Sequence, residues 1–97
     1  MIGTTPIHRI EIPLDTSLLK RARFVYHQWG KEVLRKEDED VQMKDNILSV
    51  SLSQEETFLF DCTPVILQVR VKDLNDKVLK TKPIVINVDD CLDREVL

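Results

Sequence analysis

Apolar and polar residues alternate with a period of two along much of this chain, and no segment sustains the helical period of about 3.6 residues. The clearest example runs from Val65 to Lys72, where Val65, Leu67, Val69 and Val71 share one parity. Successive side chains of a strand point to opposite faces of the sheet. The pattern therefore predicts a central strand with one face on the core.

The same alternation predicts further half-buried strands, several of them joined by tight turns. Turn residues stand at Gly30-Lys31, Asp45-Asn46 and Asn75-Asp76, and such residues adopt the backbone conformations that hairpins need. The charged stretch from Glu32 to Glu37 is typical of a sheet edge. The residues predicted to face inward are Ile10, Ile12, Leu14, Ala22, Phe24, Tyr26, Leu48, Val50, Leu52, Ile84, Ile86 and Val88.

One short helical turn interrupts the strands, near residues 54–58. Ser53 and Glu56 have the spacing of a capping box, in which each side chain satisfies a free backbone N–H near the helix start. We expect this turn to place Phe58 and Phe60 over one end of the core.

About seven short strands separated by turns predict an all-β fold, an immunoglobulin-like antiparallel β-sandwich, with a small barrel as the alternative. The length of 97 residues fits a single domain spanning 1–97. The alternation is lost over residues 89–97, which we interpret as a C-terminal tail that forms either a short helix or an interacting segment.

The charge and the N-terminal residues argue against several partners. The net charge of −3 gives no long-range attraction for nucleic acid or an anionic membrane, so we expect neither as a partner. No apolar run approaches the roughly 20 residues needed to span a bilayer. The N-terminal residues also lack the basic segment followed by an apolar segment that is typical of a signal peptide. We therefore expect the chain to be made and kept in a cytoplasm.

The residues that carry metal or catalytic chemistry are few and poorly spaced. His8, His27, Cys62 and Cys91 include no pair with the short spacing of a zinc site. The acidic run Glu37-Asp38-Glu39-Asp40 lacks the glycine and terminal glutamate of a calcium loop, and is interpreted as a solvated loop between edge strands. Reduced thiols are expected, although pairing of the two cysteines stays open. We predict no enzyme activity, no catalytic residue, no metal and no cofactor.

The most informative surface feature is the outward parity of the strand expected from Arg21 to Trp29. Tryptophan and arginine are favoured anchors in protein interfaces. Equally, this face could be covered by the chain's own second sheet, its tail or a loop. The interface candidates are Arg21, Arg23, Val25, His27 and Trp29.

Segments 3–6 with 10–15, 23–26, 52–58, 69–71, 91–93 and 95–97 are distributed along most of the chain. Taken together, these stretches resemble small proteins encoded in the tail and baseplate gene clusters of phages and prophages of Gram-positive bacteria. None of these stretches is a catalytic or binding motif, and the resemblance carries over no functional residue. It implies an immunoglobulin-like sandwich without enzymatic activity that is made in the bacterial cytoplasm and is a virion component or assembly partner, with other tail proteins or copies of itself as partners.

Two hypotheses from other classes of function stay open beside this one. An adhesin-like or carbohydrate-binding sandwich would use Trp29 for stacking on sugar rings, although parity sends Tyr26 to the opposite face. A thiol- or metal-dependent enzyme would need Cys62 or Cys91 activated by a neighbouring imidazole. The first would be revealed by glycan binding, and the second by tightly bound zinc or by activity lost in Cys62→Ser.

Overall fold

The computed structural model describes residues 3–61 and 63–87 of the chain. This part is built mainly of antiparallel strands, with the short helix α1 (Gln54–Thr57) and 3-10 turns at Thr16–Leu18 and Asp38–Asp40. The strands are β1 (Ile7–Glu11), β2 (Leu19–Gln28), β3 (Lys31–Glu37), β4 (Val41–Lys44), β5 (Ile47–Ser51), β6 (Val65–Asp73), β7 (Val78–Lys80) and β8 (Ile84–Ile86).

The strands form two sheets, which confirms the predicted all-β sandwich. The smaller sheet has the order β1-β5-β4. In the larger sheet β3 lies beside β2, β2 beside β6, and both β7 and β8 pair with β6. Successive pairs of strands alternate between the sheets. This connectivity matches strands B-E-D and C′-C-F-G of an immunoglobulin-type sandwich.

The far edge of the larger sheet is one strand broken into two pieces. β7 and β8 pair with opposite ends of β6 on the side away from β2. Between them, the Thr81 backbone N–H donates to the Val69 carbonyl at 2.9 Å, and the Val69 N–H donates to the Thr81 hydroxyl at 3.1 Å. Pro83 directly precedes β8, where it removes no ladder bond within that strand.

The sandwich interior is filled by the side chains whose parity the sequence predicts to face inward. Ala22, Phe24 and Tyr26 of β2 are buried, and so are the four valine and leucine residues of odd number in β6. Leu48, Val50 and Leu52 cover them from the smaller sheet. Ile10, Leu14, Ile84 and Ile86 are partly buried against this core. These predictions are confirmed.

The capping box is also confirmed. The Glu56 N–H donates to the Ser53 hydroxyl at 3.1 Å, and the Ser53 N–H donates to the Glu56 carboxylate at 2.8 Å. The helix ends after one turn, and Phe60 enters the core while Phe58 is only half-buried.

Two details differ from the sequence prediction. β2 ends at Gln28, so Trp29 lies in the following turn and not on the strand. β4 was not predicted as a separate strand, because its side chains, apart from Val41, are exposed and give no alternation. The predictions for Val88, for the tail 89–97 and for Cys62 and Cys91 concern positions outside the described residues.

Candidate interaction surface

The outer face of the larger sheet is the side turned away from the core. On β2 it carries Arg21, Arg23, Val25 and His27, which confirms their predicted outward parity. The pairing of β2 with its neighbours then determines which side chains stand next to them. The other members of this face are Glu32, Arg35 and Glu37 of β3, Ile66, Gln68, Arg70 and Lys72 of β6, Val78 and Lys80 of β7, and Val85 of β8.

Arg21 and Arg23 pair with the acidic run that begins at the last residue of β3. The Arg23 Nε lies 2.8 Å from the Glu37 carboxylate, and Arg21 Nη2 lies 3.2 Å from Asp38 Oδ2. The Arg21 guanidinium, helped by the Ala22 backbone N–H, holds the pKa of the Asp38 carboxyl below its usual value. The acidic run does lie between edge strands as predicted, but two of its carboxylates are committed to β2.

Three further cations stand beside these arginines, and sequence reasoning did not single them out. Arg23 lies opposite Arg70, which lies opposite Lys80, and Arg21 lies opposite Lys72. These five cations form the cationic half of the outer face, and four of them, all but Lys80, line a shallow pocket of about 180 Å³. The side chains of its lining include Arg21, Arg23, Arg70, Lys72 and Val78.

The other half of the outer face is less charged. His27 lies opposite Ile66, and Ile66 lies opposite Val85, so the three form a row across β2, β6 and β8. Ile66 is 42% exposed, Val85 is more exposed, and Val25 is half-buried beside them. A sheet face with cations at one end and exposed aliphatic groups at the other can supply both parts of a protein interface, a desolvated centre and a charged rim.

Trp29 lies at the apolar end, in the turn that joins β2 to β3. Trp29 and Gly30 have φ angles of 56° and 71°, so the turn has positive φ at both central positions. The indole is 73% exposed, and its Nε1 donates to the Asp61 carboxylate at 3.3 Å. Of the interface candidates, Trp29 alone is displaced from the sheet to its end.

The buried side chain of Gln28 links this end of the sheet to the segment after α1. Its amide nitrogen donates to the carbonyls of Asp61 and Thr63 at 3.0 and 2.9 Å, and its amide oxygen accepts from the Asp61 N–H at 2.8 Å. The side chain is only 3% exposed. Gln28 thus binds the segment after α1 to the end of β2, next to Trp29. The inward parity of β2 was the signal that could have identified it.

His8 is half-buried and hydrogen-bonded. Its Nδ1 lies 2.6 Å from the Tyr26 hydroxyl, and the two rings are tilted with centroids 5.5 Å apart. Burial lowers the pKa of the His8 imidazole and raises that of the Tyr26 phenol. Both shifts favour the neutral forms of the imidazole and the phenol.

Because of the His8–Tyr26 pair, we expect the protein to lose stability in mild acid. The folded pKa of His8 lies below its usual value of 6.5, so below pH 6.5 the unfolded chain binds more protons. The contribution is complete above pH 6.5 and is lost as the pH falls below it. We expect the free energy of unfolding, measured by urea titration between about pH 7.5 and 5.5, to fall less in His8→Gln than in the native chain. Arg9→Gln, at the neighbouring exposed position, should keep the native dependence, and equal slopes for all three proteins would contradict the assignment.

Within residues 3–61 and 63–87, no three or more His, Cys, Asp or Glu side chains are grouped so that they could hold a metal ion. The same part of the chain contains no helix of the length and apolarity required to cross a membrane. No protein-family model, curated protein or solved structure matches this chain.

Proposed function

We propose that this chain is a non-enzymatic structural or protein-interaction module that belongs to the tail or baseplate of a phage or prophage. In this proposal it is made in the bacterial cytoplasm and joins the virion by docking the outer face of its larger sheet onto another tail protein or a second copy. The resemblance to tail-region proteins supports the setting. The mixed cationic and apolar outer face supports docking, since interfaces in symmetric assemblies reuse such patches.

The observation that carries the interaction role is the conformation of Trp29. A left-handed backbone is unfavourable for a bulky residue, and Asn-Gly is the favoured pair for a hairpin turn of this kind. Trp29 occupies this position and is also largely exposed to water. Strained residues concentrate at functional sites, where another benefit outweighs the strain. For an exposed indole at the end of the outer face, that benefit is the binding free energy gained when a partner covers it.

Replacing Trp29 by asparagine should separate stability from binding. We expect Trp29→Asn to raise the free energy of unfolding by about 0.5–1 kcal/mol, because asparagine tolerates the left-handed backbone. The same variant should be incorporated less into particles. Trp29→Phe is the control, since it keeps an aromatic ring and the strained backbone, and should show neither the gain in stability nor the full loss of incorporation. Unchanged stability and incorporation in Trp29→Asn would contradict the interpretation.

The proposed setting is tested on particles of the phage or prophage whose genome encodes the chain. Quantitative mass spectrometry of purified particles should find the protein in fixed ratio to other tail proteins, and deletion of its gene should stop tail assembly until the gene is restored. Absence from the particles, with normal assembly in the deletion strain, would refute the proposal. Light scattering after size-exclusion chromatography shows whether copies of the chain associate by themselves.

A carbohydrate-binding role would depend on Trp29 alone, because Tyr26 is fully buried and cannot stack on a sugar. A glycan array with the native chain and Trp29→Asn tests that role. Binding to a glycan that is lost in the variant would favour it over docking to a protein.

A further inference from the structure

The cationic half of the outer face places like charges in direct opposition across three strands. Arg23, Arg70 and Lys80 occupy one cross-strand row of β2, β6 and β7, and Arg21 and Lys72 occupy the adjoining row. Directly opposite side chains on a sheet have Cβ atoms about 4.5–5.5 Å apart, and like charges at that spacing are destabilising. The fold therefore bears a cost at this place that a bound anion would remove.

The carboxylates of the described residues neutralise only part of this cluster. Glu37 and Asp38 pair with Arg23 and Arg21 at the β3 side, and Glu37 also accepts from Arg35 at 3.2 Å. Within residues 3–61 and 63–87, Arg70 and Lys80 contact no carboxylate. The excess positive charge is thus centred on β6 and β7.

The pocket between these cations suits a side chain rather than a cofactor. Its volume of about 180 Å³ is below the roughly 300–1,000 Å³ of pockets that hold small-molecule ligands. Val78 gives it an aliphatic wall, which fits the methylene groups of a glutamate. Arg70 has a guanidinium that can hold a carboxylate through two parallel hydrogen bonds.

Acidic groups border the positive area at both ends. Glu37 and Asp38 lie on the β3 side, and Asp76 lies in the turn after β6, 3.9 Å from the Lys72 ammonium. A nucleic acid would continue past these carboxylates with a phosphate at each nucleotide, and the net charge of −3 adds further repulsion. A protein segment can present a few carboxylates to the pocket and neutral residues elsewhere.

We propose that this cationic pocket, with Lys80 beside it on β7, binds the carboxylate side chains of an acidic segment in the protein partner. Arg70 in the pocket lining and its cross-strand neighbour Lys80 are the principal contacts. The inference rests on the proposed function and specifies the chemistry of the partner. The acidic segment docks at the cationic half, while the apolar row and Trp29 contact neutral residues of the same partner.

The test is an NMR titration of the complete, isotopically labelled chain with N-acetylated, C-amidated hexaglutamate. Shifts should concentrate on the backbone amides of β6 and β7 around Arg70 and Lys80. The double variant Arg70→Gln/Lys80→Gln should bind the peptide about tenfold more weakly. The control Arg9→Gln/Lys44→Gln has the same change of residue types and net charge on the smaller sheet, and should bind like the native chain. Equal weakening in both double variants would overturn the proposal.

Two further titrations distinguish an acidic partner segment from two other possible occupants of the pocket, a nucleic acid and the chain's own carboxylates. Thymidine hexanucleotide should bind more weakly than hexaglutamate, and the reverse order with the same shifted residues would assign the pocket to nucleic acid. Four further carboxylates of the chain lie outside the described residues, and a variant with these four replaced by Asn or Gln should bind hexaglutamate like the native chain. Binding that appears only in this variant would make the chain itself the occupant and overturn the proposal. The residues replaced are Asp89, Asp90, Asp93 and Glu95.

Incorporation into particles separates failure of this inference from failure of the proposed function. Arg70→Gln/Lys80→Gln should be incorporated poorly. Normal incorporation of this variant, with the native chain present in particles, would overturn the acidic partner and leave the module function intact. Absence of the native chain from particles would refute the module function, whatever the peptide titration shows.

Discussion

Phe60→Ala is expected to lower the free energy of unfolding by about 3–5 kcal/mol, a large part of the roughly 5–15 kcal/mol available to a domain of this size. Phe60 is 0% exposed, and its ring lies against that of Tyr26 with centroids 5.7 Å apart. Truncation to alanine loses the transfer free energy of the ring and leaves a cavity between the two sheets. Guanidinium unfolding followed by circular dichroism measures the loss.

The adjacent Leu59 provides the control for this prediction. Leu59 is exposed in the same segment after α1, so Leu59→Ala should change the free energy of unfolding by less than about 0.5 kcal/mol. The contrast tests whether Phe60, and not its neighbour, enters the core. Similar losses in the two variants would contradict this placement.

Gln28→Ala should have the second-largest effect, a loss of about 2–4 kcal/mol, because it leaves buried backbone groups without partners. The carbonyls of Asp61 and Thr63 and the N–H of Asp61 all bond to the Gln28 amide. Gln28→Glu tests hydrogen bonding separately from packing. It keeps the length of the side chain, but at neutral pH a carboxylate has no N–H to donate to the two carbonyls. We expect a loss at least as large as that in Gln28→Ala.

Gln68→Ala is the matched control for Gln28→Ala, since Gln68 lies on the outer face of β6 and faces away from the core. It should change the free energy of unfolding by about 0.5 kcal/mol or less. Thermal and urea unfolding of the three variants measure these differences. A small effect of Gln28→Ala would show that water or a rearranged loop satisfies the freed groups.

Much of the fold could be predicted because the alternation of apolar and polar residues along a strand matches the alternation of buried and exposed side chains in the sandwich. Val65, Leu67, Val69 and Val71 alternate with polar residues, and any arrangement that covers one face of this strand must bury them together. The capping box was equally predictable, since its two hydrogen bonds join residues only three positions apart. β4 was missed because it is a short edge strand with mostly exposed side chains, and hydrophobic alternation cannot reveal such a strand.

The candidate surface could be predicted only in part. The outward parity of Arg21 and Arg23 follows from β2 alone, but their approach to Arg70 and Lys80 depends on cross-strand register. Register is determined by the packing of whole sheets and by turn geometry, and neither is contained in a local pattern. The displacement of Trp29 from the sheet arises because the two-residue turn begins one position earlier than alternation suggests.

The most direct test of the docking face compares two exposed isoleucines on opposite sheets. Ile66 on the larger sheet is 42% exposed, and Ile47 on the smaller sheet is 41% exposed. Aspartate at either position should leave the circular dichroism spectrum unchanged. We expect incorporation of Ile66→Asp into particles to fall about tenfold or more, with Ile47→Asp incorporated like the native chain. Equal incorporation of the two variants, or loss of Ile47→Asp alone, would contradict docking through the outer face of the larger sheet.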